Sequence, residues 1–188
     1  MSAIFKISNA ISFQVGWFIC ILTNTAMSTI FTLSYILSYF IYLYFFTKKP
    51  SLKREAFWIG LFIIVGFLCE TLFFTSGVLY KTDPPLGNNS ITFNGLIAPP
   101  AWLLCLWALF ATSMRTSLEF MFRKASLAYV LMFVMAPCSY YAGAKLNTQV
   151  EIGQPLILHL FVIGLTWVAA FNCIYSLKHR YFQDIDYV

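Results

Sequence analysis

Glu70 is an ionisable side chain in the middle of an apolar run, between Gly66-Phe67-Leu68-Cys69 and Thr71-Leu72-Phe73-Phe74, with no other charge nearby in sequence. A carboxyl in such surroundings needs a partner or a function. A second apolar run carries Ser139, Tyr140, Tyr141 and Lys145, and a third opens around His159. An acid, an amine, a histidine and two phenols brought together could relay protons, hold a polar headgroup or do acid–base work. The plainer reading is structural. Glu70 then pairs with Lys145 or a tyrosine hydroxyl and staples two helices, while His159 sits at the headgroup interface. For Glu70 and Lys145 the two readings balance; for His159 the interfacial one is the stronger.

A second polar group comprises Asn9 and Gln14 in the first apolar stretch and Thr112 and Arg115 at the end of the fourth. Gln14 and Arg115 fall at similar depth, where they could bind a phosphate or carboxylate headgroup. Arg115 also fits an ordinary interfacial anchor, and that is the favoured reading. Tyr35, Tyr39 and Tyr42 share one helical face at i, i+4 and i+7, a spacing that suits packing better than ligand stacking.

Recognisable catalytic motifs are missing. The sequence has no Gly-rich phosphate loop, HExxH or GxSxG pattern. Its two histidines are too few for the histidine clusters of metal-dependent membrane oxidases. The five cysteines, Cys20, Cys69, Cys105, Cys138 and Cys173, all lie in apolar stretches without ligand spacing and read as small packing residues. No catalytic residue, metal ligand or cofactor is therefore assigned, and the chain reads as a non-enzyme more readily than as an enzyme.

The elements that must carry these residues follow from composition. Sixty per cent of the residues are hydrophobic and only 10% are charged, more apolar surface than a soluble domain of 188 residues could bury. About 20 apolar residues cross a bilayer as a helix. Six stretches qualify, at about 7–26, 28–46, 56–79, 99–118, 125–144 and 155–177. Asn9 and Gln14 interrupt the first one, so it reads as a span rather than a signal peptide. The expected fold is one integral membrane domain over residues 1–188, an all-α bundle of six transmembrane helices.

Charge orients the bundle. Lys6, Lys48, Lys49, Lys53, Arg54, Arg115, Arg123, Lys124, Lys178 and Arg180 fall in alternate gaps, and only Lys81 and Lys145 fall in the others. Basic loops stay cytoplasmic, so both termini are expected there. The formal charge of +5 then reflects topology and attraction to anionic lipid, not nucleic-acid binding. Depths follow from the rise of an α-helix. Glu70 lies roughly 21 Å from Ala56, Ser139, Tyr140 and Tyr141 lie about 21 to 24 Å from Ala125, and His159 lies roughly 6 Å in from the outer end of the last span. The polar excursion Tyr80–Ala98, with Asp83-Pro84-Pro85 and Asn88-Asn89-Ser90, is expected on the outer face with little regular structure.

Three segments carry a resemblance: Asn9-Ala10-Ile11-Ser12-Phe13-Gln14-Val15-Gly16-Trp17-Phe18, Pro100-Ala101-Trp102-Leu103 with Leu106-Trp107-Ala108-Leu109-Phe110-Ala111-Thr112, and Pro137-Cys138-Ser139-Tyr140-Tyr141-Ala142-Gly143-Ala144-Lys145-Leu146. Together they resemble an uncharacterised inner-membrane family of proteobacteria, a domain-of-unknown-function family often encoded beside homologues of cyclopropane-fatty-acyl-phospholipid synthase. The resemblance covers nearly the whole chain, and the Ser-Tyr-Tyr-Ala-Gly-Ala-Lys stretch is its most specific part. It implies a context of membrane-lipid modification or envelope and oxidative stress. Such relatives carry a histidine near the end of the fourth span, where this chain has Thr116, and commonly an aspartate near the position of Glu70.

The expected protein is thus a multi-pass protein of a bacterial inner membrane, accessory to phospholipid acyl-chain modification or to envelope and oxidative stress adaptation. Its expected partners are membrane lipid and a lipid-modifying enzyme at the cytoplasmic face. The alternatives are a small proton-coupled carrier, in which Glu70 lines a wet cavity, and a membrane scaffold for soluble enzymes.

Overall fold

The apolar stretches form helices, and their exposed surface is apolar as well. In the computed structural model, which describes residues 3–23, 25–46, 51–82, 92–93 and 95–181, the order is α1 (Ala3–Leu22), α2 (Thr25–Phe46), α3 (Leu52–Thr75), β1 (Leu79–Lys81), β2 (Thr92–Phe93), β3 (Leu96–Ile97), α4 (Ala101–Met114), α5 (Phe120–Arg123), α6 (Ala125–Leu146), β4 (Val150–Ile152) and α7 (Leu156–Tyr181). Five of these helices, α1, α2, α3, α6 and α7, are long and apolar enough to cross a membrane. They leave Ile4, Leu37, Phe57, Ile64, Val130 and Ile157 mostly exposed, an arrangement that water penalises and hydrocarbon does not.

α4 is shorter than the expected span 99–118. Its 14 residues rise about 21 Å, against a hydrocarbon core of about 30 Å. The cause is local. Thr112 Oγ1 donates to the Leu109 carbonyl at 2.7 Å and Thr116 Oγ1 to the Thr112 carbonyl at 2.8 Å. Three-residue backbone bonds from Arg115 to Thr112 and from Thr116 to Ser113 then tighten the chain into a turn. Hydroxyls that compete for helix carbonyls, followed by such bonds, are a normal way for a helix to end.

α3 begins four residues before the expected span, which brings Glu55 into its first turn, where the helix dipole favours an acid. The excursion is more ordered than expected where it is described. β1 pairs antiparallel with β4 in the register Leu79↔Ile152, Tyr80↔Glu151 and Lys81↔Val150, and β2 pairs with β3. Gly77, at φ +75°, makes the turn from α3 into this ribbon. Asp83-Pro84-Pro85, Asn88-Asn89-Ser90, Lys48, Lys49 and the tail from residue 182 lie outside the described residues.

The helices pack as α3 on α4, α6 on α7, and α4 against both α1 and α2. Small residues allow this. A Cβ on Gly16 would meet Leu109 at 2.6 Å and Phe31 at 2.8 Å. Pro137 has no N–H for the Phe133 carbonyl one turn earlier, and that carbonyl lies 2.8 Å from where a Cβ on Gly164 would stand. α7 therefore closes on α6 at a glycine. One end of the bundle gathers Lys6, Glu55, Arg115 and Glu119 (the basic end), and the other carries the β1–β4 ribbon.

Candidate intramembrane site

Glu70 is fully buried on α3, one turn beyond Gly66. The bare face at Gly66 admits the Trp107 ring, whose Cγ lies 2.3 Å from where a Cβ would be. Trp107 is held from its other side by Trp167, stacked at 4.4 Å with an interplanar angle of 15°. So fixed, Trp107 donates its indole N–H to Glu70 Oε1 at 3.0 Å, and the Tyr140 hydroxyl donates to the same oxygen. Oε2 is buried and has no hydrogen-bond partner among the described residues.

That carboxyl forms part of the wall of a crevice of about 460 Å³ between α1, α4 and α6. The crevice runs from Leu118 and Met121 near the basic end to Leu79 and Val150 beneath the ribbon, and its walls are mostly apolar. Trp17, Trp102, Trp107 and Trp167 all line it. On the ribbon side α1 is tied to α6 and the residue that caps it. Trp17 Nε1 donates to Ser139 Oγ at 3.0 Å, and Asn147 Nδ2 donates to the Ile21 carbonyl at 2.7 Å. Towards the basic end Phe13 and Gln14 face Met132 and Met135 across the gap, and Met135 is 58% exposed at its edge.

The structure brings together part of the expected outer group. Glu70, Ser139 and Tyr140 line the crevice. Tyr141 and Lys145 are exposed on the side of α6 turned away from Glu70, with the Lys145 ammonium 5.6 Å from the Tyr141 ring centroid. His159 is half-buried beside Gly153, and its Nδ1 has no partner among the described residues.

The second group divides. Asn9 is buried and donates to the Tyr35 hydroxyl and, at 3.4 Å, to Thr112 Oγ1, while Ser117 Oγ donates to Asn9 Oδ1 at 2.7 Å. Gln14 turns to the crevice instead. Arg115 is buried against Glu55, with Nη2 at 2.9 Å and Nε at 3.2 Å from Oε1, and its guanidinium carbon lies 5.7 Å from the Trp58 ring centroid. Tyr39 completes this network by donating to Glu55 Oε2 at 3.0 Å, and Tyr42 stacks on Phe5 at 3.6 Å. Nearby, Glu119 accepts from Lys6 at 3.1 Å and from Arg123 at 2.9 Å. Partial burial alone would raise the Glu119 carboxyl, but these two cations outweigh it and hold it below the usual carboxylate range.

Glu55, Trp107 and Gly66 are the site-building residues that sequence reasoning missed. Glu55 follows Lys53-Arg54 and looks like the close of a basic loop, although an acid at the threshold of an apolar run was a usable signal. Nothing in sequence pairs Trp107 with a carboxyl 37 positions away.

Bundle and crevice together define a helical, membrane-type protein with a buried carboxyl on the wall of an apolar cleft. Residues 6–173 match the family described as "Protein of unknown function (DUF2878)", and the chain belongs to that family. No curated protein and no solved structure matches the chain.

Proposed function

We propose that this is a multi-pass protein of a bacterial inner membrane, with six crossings and both termini cytoplasmic, that takes a lipid-like ligand into the crevice as an accessory to phospholipid acyl-chain modification. The observation that carries the reading is the apolar crevice with a single buried carboxyl in its wall. Pockets of this size with few polar groups suit ligands that are mostly hydrocarbon. Met135, which both lines the crevice and is 58% exposed midway along α6, supports a lateral way in for such a ligand from the bilayer. The excess of Lys and Arg at the basic end supports the orientation. The resemblance to a family encoded beside cyclopropane-fatty-acyl-phospholipid synthase homologues supports the context, with a lipid-modifying enzyme as partner at the basic face.

The test is the phospholipid acyl profile of a deletion strain with and without oxidative stress, complemented by wild type or by Glu70→Gln. An acyl species that is lost or accumulates, and is restored by wild type but not by Glu70→Gln, is the expected outcome. An unchanged profile under both conditions would turn the assignment towards carriage or scaffolding.

A further inference from the structure

Glu70 divides its two oxygens unequally. Oε1 accepts from both Trp107 and Tyr140, while Oε2 is buried without a partner among the described residues. A buried polar atom left unpaired is costly, so a complementary ligand atom there would be favoured. Among the described residues no cation supplies the complement, because none of their salt bridges involves Glu70 and Lys145 lies against Tyr141 instead. The crevice whose wall includes Glu70 is long and mostly apolar, and the β1–β4 pair and the Trp102–Gln149 hydrogen bond at 3.2 Å lie at its ribbon end.

We infer that the crevice selects a single-chain amphiphile whose end group donates a hydrogen bond, a hydroxyl or an ammonium, to Glu70 Oε2, with its hydrocarbon chain lying along the apolar walls. The inference rests on the lipid-binding reading above and adds the end-group chemistry. A ligand whose polar end only accepts, such as an ester, leaves Oε2 unpaired and is rejected. A site built to hydrogen-bond one group discriminates strongly against the analogue that lacks it, because its own polar atom is then stranded. The crevice, about 460 Å³, is of a size that takes one mostly hydrocarbon ligand.

The protein carries its own reporter, since four of its five tryptophans line the crevice. Purified protein in detergent would be titrated with dibromostearyl alcohol, dibromostearylamine and methyl dibromostearate, and quenching of tryptophan fluorescence read. The expected wild-type result is that the alcohol or the amine binds roughly tenfold more tightly than the ester. Which of the two leads identifies the donor as a hydroxyl or a cation. In Glu70→Gln the amide keeps a carbonyl for Trp107 and Tyr140 and presents an NH2 in place of Oε2, so the preference should fall below about twofold while all three probes still quench. Equal binding of ester and alcohol by wild type, a ranking led by the ester, or a preference kept in Glu70→Gln would overturn the inference and leave lipid binding standing. No quenching by any probe would overturn the lipid-binding reading itself. If Glu70→Gln does not fold, the wild-type ranking alone decides.

Discussion

At the scale of single residues, the site depends on an absent side chain as much as on the carboxyl. Gly66 lets Trp107 lie where its N–H reaches Glu70, and a methyl at position 66 would stand 2.3 to 2.6 Å from three atoms of the ring. Trp167 blocks the retreat of that ring on its far side. Gly66→Ala should therefore cost about 1–3 kcal/mol of stability through overpacking, and it should also displace the donor from Glu70. A lowered unfolding midpoint in detergent together with an altered tryptophan emission spectrum would bear this out; an unchanged spectrum would show that the ring has room to shift. Glu70 was legible in the sequence because a lone carboxyl in an apolar run needs a partner or a function, and Tyr140 was legible by its matching depth. Lys145 was expected beside them and is not, because depth does not fix azimuth. Five residues beyond Tyr140, it points about 140° away round the helix. Trp107 and Gly66 could not be found, since one looks like core and the other like packing until the fold places them together.

At the scale of elements, the basic end is locked by an ion pair that joins α3 to the turn after α4. The Glu55 and Arg115 side chains are 1% and 4% exposed, so removing either one breaks an ion pair that is shielded from water. Arg115→Met should lower stability by about 3–5 kcal/mol, because the Glu55 carboxylate then loses the guanidinium that meets its Oε1 inside the protein. The double variant Glu55→Gln with Arg115→Met should be more stable than Arg115→Met alone, since the buried carboxylate that Arg115 met is then neutral. Unfolding midpoints of the two variants decide this, and a double variant less stable than the single would mean that the Glu55 carboxylate stabilises the fold through a partner other than Arg115. The five long helices were readable because an uninterrupted apolar run of that length has few other uses. The early end of α4 was not, because Thr112, Ser113 and Thr116 break the helix through hydrogen bonds that a hydropathy count ignores. The β1–β4 pair was hidden for a different reason. Each strand has only three residues, and their partners lie 69 to 73 positions apart in sequence.

At the scale of the whole molecule, the question is whether the short α4 completes a sixth crossing. Its 14 residues fall about 9 Å short of a typical hydrocarbon core, but its ends are tied to opposite ends of the bundle. Trp102 donates to Gln149 beside the ribbon, and Arg115 reaches Glu55 at the basic end. Local thinning of the bilayer is the usual accommodation for a short span, and here Arg115 is turned into protein rather than towards lipid. Single cysteines at Lys53, Lys81, Lys124 and Glu151, in a chain freed of its five native cysteines, would test the path with a membrane-impermeant maleimide. Lys81→Cys and Glu151→Cys should react in intact cells, and Lys53→Cys and Lys124→Cys only after the inner membrane is opened. If α4 did not cross, Lys124→Cys would label with Lys81→Cys while Glu151→Cys would not, and the C-terminal half would be inverted relative to the N-terminal half. That inversion would carry Glu119 to the face opposite Lys6 and Glu55 to the face opposite Arg115. Ion pairs at 3.1 and 2.9 Å link those same residues, so an α4 that fails to cross requires a different fold rather than a different placement of this one.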